Sequence, residues 1–168
     1  IMAWMLDEYE KLEGKHAPDA ITGKPISLLG SKARDYSTSI GGAYVLQEMT
    51  ERLGMPPKKT TVAVQGFGNV GMNMARILNE WGYKVIAVSD SRGGIYNPKG
   101  LDVKDVIAYK DKTGKLAKFK GAKEISNEEL LELKTDFLVP AALEDQITKK
   151  NANNIKSNGT GSVLTIDH

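Results

Sequence analysis

Cysteine is absent from this 168-residue chain. That absence excludes disulfides, zinc–thiolate sites, iron–sulfur clusters and thiol catalysis. It is compatible with a reducing cytoplasm, the expected location. A charge excess of one sign is also lacking, since 23 basic residues against 21 acidic ones leave +2. Neither nucleic acid nor an anionic membrane surface is therefore expected as a partner. No apolar run approaches the ~18 residues of a membrane span, and no secretory signal pattern is visible. The only histidines, His16 and His168, fall in loop or tail context with no carboxylates at ligand spacing, so no metal is expected. No nucleophile–base pair is visible either, and no catalytic residue is assigned.

What is present fits a globular domain. Apolar residues make up 40% and charged residues 26%, against the low hydrophobicity and high net charge of disordered chains. The length suits about one domain on the usual prior of roughly 100–200 residues. The chain opens at Ile1 directly in a helical pattern with no N-cap, which reads as a piece of something longer.

Residues 1–13 place Met2, Met5, Leu6, Tyr9 and Leu12 on one helical face, and Gly14 is a natural stop. Residues 14–36 are punctuated by Gly14, Pro18, Gly23, Pro25 and Gly30 and read as a connecting segment. A helix is predicted over 38–53, capped by Ser37 or Thr38 and ended by Gly54. Three buried strands are predicted, at Thr61–Gln65, Tyr83–Ser89 and Thr135–Val139, with a possible fourth at Val163–Ile166. Between them lie a helix from Asn69 to Trp81 and one from Asp102 to about Asp111. A short helix follows the capping box at Ser126–Glu129, and another is expected over Leu143–Asn154. The Gly93–Gly100 stretch reads as a turn-rich excursion. Alternating strands and helices predict an α/β, Rossmann-like, doubly wound and mostly parallel sheet, incomplete at three or four strands.

One constellation carries chemistry. Gly66-Phe67-Gly68-Asn69-Val70-Gly71 fits the dinucleotide fingerprint, directly after a predicted strand and opening a predicted helix. Gly66 permits the tight turn, Gly68 lets the backbone approach a pyrophosphate, and Gly71 lets helix and sheet pack closely. The helix N-terminus offers its dipole to the phosphates. Asp90 ends the second strand, placed to accept hydrogen bonds from the adenosine ribose. Its charge favours NAD, while Ser89, Ser91 and Arg92 keep NADP possible. Six lysines in 110–123 stand against Asp111 alone. They read as a solvated helix end and loop.

The chain resembles the hexameric glutamate dehydrogenases of bacteria and archaea, within the glutamate/leucine/phenylalanine/valine dehydrogenases. The likeness rests on MAWMLDEY (2–9), ITGKP and GSKARDYSTSIGG (21–25, 30–42), VAVQGFGNVG and VIAVSDSRGGIYNPKG (62–71, 85–100), and NEELLELKTDFLVPAALEDQIT with KKNANNI (127–155). The resemblance implies reversible oxidative deamination of glutamate to 2-oxoglutarate and ammonia with a nicotinamide cofactor, in a two-domain subunit of a homo-hexamer. It further implies that Thr38 meets the nicotinamide carboxamide and that Gly66, Phe67, Gly68, Asn69, Val70 and Gly71 hold the pyrophosphate. In the same way Asn69 would also reach the nicotinamide side, Asp90 with Ser89 would take the adenosine ribose, and Ala141 and Ala142 would wall the nicotinamide ribose. Thr38 could equally be a plain helix cap.

The departures are equally specific. The family's Pro-x-Pro-Asp motif and lysine-bearing catalytic domain have no counterpart here. Ser39-Ile40-Gly41-Gly42 stands where Gly-Arg-Gly is frequent, and residues 157–168 leave the family pattern. The expected organisation is a connector over 1–36, a cofactor-binding domain over 37–156 and a divergent tail over 157–168. Such a chain is expected to bind cofactor without turning over alone. A non-catalytic NAD(H) sensor and an inert remnant remain alternatives.

Overall fold

The computed structural model describes residues 1–143 and 145–156, apart from the side chains of Arg34 and Asp35. It forms two compact units, Ile1–Ser37 and Thr38–His168. The possible strand at Val163–Ile166 and the tail over 157–168 lie outside the described residues.

In the first unit, helix α1 spans Met2–Glu13 and ends at Gly14, whose φ of 65° lets its N–H reach the Glu10 carbonyl. Of its predicted apolar face Leu6 is buried, while Met5, Tyr9 and Leu12 are exposed. The connecting segment holds two short 3-10 turns, Ile26–Leu28 and Lys32–Asp35.

Helix α2 runs Ser37–Arg52. It begins at Ser37, so Ser37 and Thr38 occupy its first turn and do not precede it as caps. The 3-10 turn at Lys32–Asp35 leads into it through Tyr36, leaving no extended residue to act as one.

The second unit is built on a five-stranded sheet of order β4-β3-β2-β1-β5. Strands β1 (Thr61–Gln65), β2 (Lys84–Asp90) and β5 (Phe137–Pro140) run parallel, with β5 at one end of that order. These are the three predicted strands, to within two residues at each end. Two further strands extend the sheet beyond the expected three or four: β3 (Gly93–Tyr96) pairs antiparallel with β2, and β4 (Lys123–Ile125) antiparallel with β3. The turn-rich reading of 93–100 missed β3 because Gly93 and Gly94 open it and glycine is depleted in strands. Gly94 is sterically required, since a Cβ there would lie 2.8 Å from the Ser89 Cβ.

Helices cover the sheet on both faces. α3 (Asn69–Glu80) buries Val70, Met74, Ile77 and Leu78, the face its pattern predicts. With Ala43 and Leu46 of α2 these pack on Val62, Val64, Val85, Val88, Phe137 and Val139. A fully buried Leu such as Leu78 contributes about 1.5–3 kcal/mol. α4 (Val103–Thr113) is capped by Asp102, whose Oδ1 accepts from the N–H groups of Lys104 and Asp105. α5 (Asn127–Leu131) carries the predicted capping box and sets Leu130 and Leu131 on the opposite sheet face, against Ala63, Ala87 and Leu138.

The helix expected over Leu143–Asn154 does not form among the described residues, which hold turns and a 3-10 helix at Ala152–Asn154. Polar side chains take the backbone partners a helix would use. Asn151 Oδ1 accepts from Thr148 N–H at 2.7 Å and Asn151 Nδ2 donates to the Gln146 carbonyl at 2.8 Å.

Candidate functional site

A cleft of about 570 Å³ opens at the carboxyl ends of β1, β2 and β5. This is where the chain leaves β1 toward β2 on one side while β5 pairs on the other, the switch point at which open α/β sheets bind ligands. Gly66, Phe67 and Gly68 form its floor. Asp90, Ser91, Arg92 and Lys110 stand on one side, and Ala141, Ala142 and Gln146 on the other.

The three fingerprint glycines do different work. Gly66 has φ 89°, and a Cβ on it would meet the Ala141 carbonyl oxygen at 2.2 Å. On Gly71 a Cβ would lie 1.7 Å from the Gly66 carbonyl oxygen. Both are demanded by the packing of strand, turn and helix. At Gly68 a Cβ would meet nothing within 4 Å. Its missing side chain is open space above the start of α3, whose N-cap it is and to which it offers no capping group. A helix N-terminus left bare beside an open backbone cradle suits an anion.

Asp90 is held from three directions. Its Oδ1 accepts from Arg92 N–H at 2.9 Å, closing the β2–β3 turn, and its Oδ2 lies 3.2 Å from Lys110 Nζ. Its carbonyl accepts from Asn127 Nδ2 at 2.9 Å. The Asp90 side chain is 11% exposed and that of Lys110 21%. Lys110 also donates to the Phe67 carbonyl at 2.7 Å and lies 5.4 Å from the centre of the Phe67 ring. Arg92 donates from its guanidinium to the Gly114 carbonyl.

The structure thus brings Gly66, Phe67, Gly68, Asp90, Ala141 and Ala142 together around one cleft. Val70 and Gly71 are buried just behind it, shaping the turn without lining it. Asn69 is exposed at the start of α3, its carbonyl accepting from Asn73 Nδ2. Ser89 is fully buried beneath Gly94, and Ser91 lines the cleft in its place. Thr38 is exposed in the first turn of α2 and is not among the cleft's lining residues. Its neighbour Ser39 is buried and donates to the Val70 carbonyl at 2.9 Å.

Sequence reasoning missed Lys110, Asn127, Gln65 and Gln146. Lys110 was dissolved in a lysine-rich run, yet it follows Val103 and Val106 at helical spacing, both buried, and so belongs to the inner face of α4. Gln65 had its own signal, a polar residue closing a continuous buried run.

The sheet order and the cleft at its carboxyl edge define a Rossmann-like α/β domain. The chain belongs to the glutamate/leucine/phenylalanine/valine dehydrogenase family, whose pattern matches residues 30–163. Over 94% of its length it is similar to the NADP-specific glutamate dehydrogenase of Synechocystis sp. (45% identity), covering 39% of that protein. At the same coverage of its own length it is similar to the glutamate dehydrogenase of Thermotoga maritima (49%, covering 38%) and the cryptic catabolic NAD-specific glutamate dehydrogenase of Bacillus subtilis (43%, covering 36%). The chain therefore spans little more than a third of the curated relatives it matches. Among solved structures, the hetero-hexameric glutamate dehydrogenase of Thermus thermophilus in its Leu-bound form superposes with a TM-score of 0.84 at 33% identity, over 99% of this chain and 38% of that one. The Peptoniphilus asaccharolyticus glutamate dehydrogenase gives 0.71 at 34% identity, over 93% and 36%.

Proposed function

We propose that this chain is the nicotinamide-cofactor-binding domain of a glutamate dehydrogenase, with the residues that handle the amino acid lying outside it. The observation that carries the reading is the contrast among the fingerprint glycines. Gly66 and Gly71 are closed by packing, whereas Gly68 leaves an empty cradle at an uncapped helix start, a shape that fits a pyrophosphate. The cofactor-binding residues are then Gly66, Phe67, Gly68 and Asn69 at the phosphates, with Val70 and Gly71 of the same fingerprint shaping the turn behind them, Asp90 at the adenosine ribose, and Ala141 and Ala142 along the nicotinamide riboside. When bound, the nicotinamide supplies a hydride acceptor and donor. The chain's own residues bind and orient it.

Asp90 favours NAD, because its carboxylate accepts from paired ribose hydroxyls. Lys110 offsets its charge and Arg92 lines the same cleft, so NADP is admitted as well. Relatives of both named preferences support this breadth. Thr38 and Ser89 belong to the reading through family likeness. The domain is taken as 37–156 with a connector over 1–36, supported by the compact-unit division after Ser37. A hexameric whole enzyme is supported by the hexameric Thermus thermophilus relative. A cytoplasmic location is supported by the cysteine-free composition. No helix among the described residues is long and apolar enough to cross a membrane.

Hydrogen exchange on the 168-residue chain with and without NADH tests this. Protection gained at the amides of residues 66–71 and around Asp90, with no glutamate-dependent turnover, is the expected result. Unchanged exchange there, or turnover by the chain alone, overturns it.

A further inference from the structure

Two buried side-chain atoms among the described residues lack a hydrogen-bond partner, Gln65 Oε1 and Ser89 Oγ. A buried acceptor left bare forfeits its hydration for nothing, so each asks for an explanation. Their surroundings differ. Ser89 lies sealed beneath Gly94 and away from the cleft. Gln65 is 1% exposed overall yet lines the cleft.

Gln65 ends β1, in register with Ser89 on β2 and with Pro140 on β5. It therefore stands between the strand whose end bears Asp90 and the strand that leads into Ala141 and Ala142. Its Nε2 donates to Gln146 Oε1 at 2.9 Å, which fixes the amide plane and leaves Oε1 the unused half. An unused acceptor on a buried residue that lines the cleft calls for a donor. Phosphate oxygens offer none. With Asp90 on the β2 side and the glycine cradle at the centre, the second nucleoside of a dinucleotide passes on the β5 side. There its ribose hydroxyls and carboxamide N–H groups are the available donors.

We propose that Gln65 is a further dinucleotide-binding residue, accepting a hydrogen bond from the nicotinamide riboside half, with Gln146 as the positioning residue that orients its amide. This rests on the dinucleotide reading above. The geometry also distinguishes the two halves of the ligand, since ADP carries the adenosine and pyrophosphate but lacks the second nucleoside.

The test is titration of the full chain and of its Gln65→Met and Gln146→Met variants with NADH and with ADP. Gln65→Met keeps length and removes the acceptor. It is expected to weaken NADH about five- to tenfold, the loss of one neutral hydrogen bond, and to leave ADP within twofold. Gln146→Met is expected to weaken NADH by a smaller factor, again sparing ADP. Unchanged NADH affinity in Gln65→Met, or equal losses for NADH and ADP, overturns the proposal. If Gln65→Met fails to fold, Gln146→Met decides alone, and unchanged NADH affinity there overturns it. A wild-type chain that binds neither ligand overturns the dinucleotide reading itself.

Discussion

Lys110 and Asp90 meet at 3.2 Å on one side of the cleft, and the same ammonium holds the Phe67 carbonyl at 2.7 Å. One side chain thus ties the end of β2 to the glycine turn after β1. Replacing Lys110 with Met leaves a carboxylate that is mostly buried with one fewer partner and releases the turn. The expected loss is about 1–3 kcal/mol of stability, seen as a lower urea midpoint. An unchanged midpoint would show that the pair contributes nothing to the fold.

The fingerprint glycines should separate cleanly on substitution. Gly71→Ala drives a methyl against the Gly66 carbonyl at 1.7 Å, and Gly66→Ala combines φ 89° with the Ala141 carbonyl at 2.2 Å. Each is expected to cost several kcal/mol or abolish folding. Gly68→Ala meets nothing within 4 Å and has an ordinary φ of −86°. It should fold within about 1 kcal/mol of wild type while losing at least about tenfold in NADH affinity, near 1.4 kcal/mol. Denaturation and titration of the same three variants check this. A Gly68→Ala chain that binds NADH normally would remove the pyrophosphate from that cradle.

Ser126 anchors α5. Its hydroxyl accepts from Glu129 N–H at 3.1 Å while the Glu129 carboxylate accepts from Ser126 N–H at 2.7 Å. Ser126→Ala should cost about 1 kcal/mol, the ordinary worth of an N-cap. It should also loosen Asn127, which bonds the Asp90 carbonyl, and so weaken NADH modestly. A variant as stable as wild type would contradict the capping account.

Glu128 in the same turn titrates below the ordinary carboxylate range, because a hydrogen bond from its own backbone N–H, then the Ser126 hydroxyl, favours its charged form. A depressed folded value means stability present above the unfolded value and lost as pH falls through the folded one. The carboxyl carbon shift of Glu128 should therefore move at lower pH than in an unfolded peptide. In Ser126→Ala its midpoint should rise toward the ordinary range.

Much of the fold was legible. TVAVQ and KVIAVS are β-branched runs buried on both faces, and α3 announces itself by Val70, Met74, Ile77 and Leu78 between two glycines. What stayed hidden depended on distant partners. Gly93 and Gly94 look like loop residues until Ser89 and the Asp90 turn lie beside them. The short β4, KEI, has no pattern of its own and exists by pairing with β3. Lys110 looks solvated until a residue 43 positions earlier offers its carbonyl. The expected helix over Leu143–Asn154 failed for a local reason, since Asn151 bonds the backbone that the helix needed. At the cleft Gly66, Gly68 and Asp90 were readable from their spacing together with the strand before and the helix after them. Gln65 carried a signal as a polar residue closing a buried run, but its pairing with Gln146, 81 positions on, had none.

In the proposed function the cleft at the ends of β1, β2 and β5 holds a nicotinamide dinucleotide with Asp90 at its adenosine ribose. Nicotinamide fluorescence of the 168-residue chain titrated with NADH, beside its Asp90→Ala variant, tests it most directly. Saturable binding by the wild type, weakened about tenfold or more in Asp90→Ala, is the predicted result. No saturation by the wild type, or equal affinity in the two chains, would contradict it.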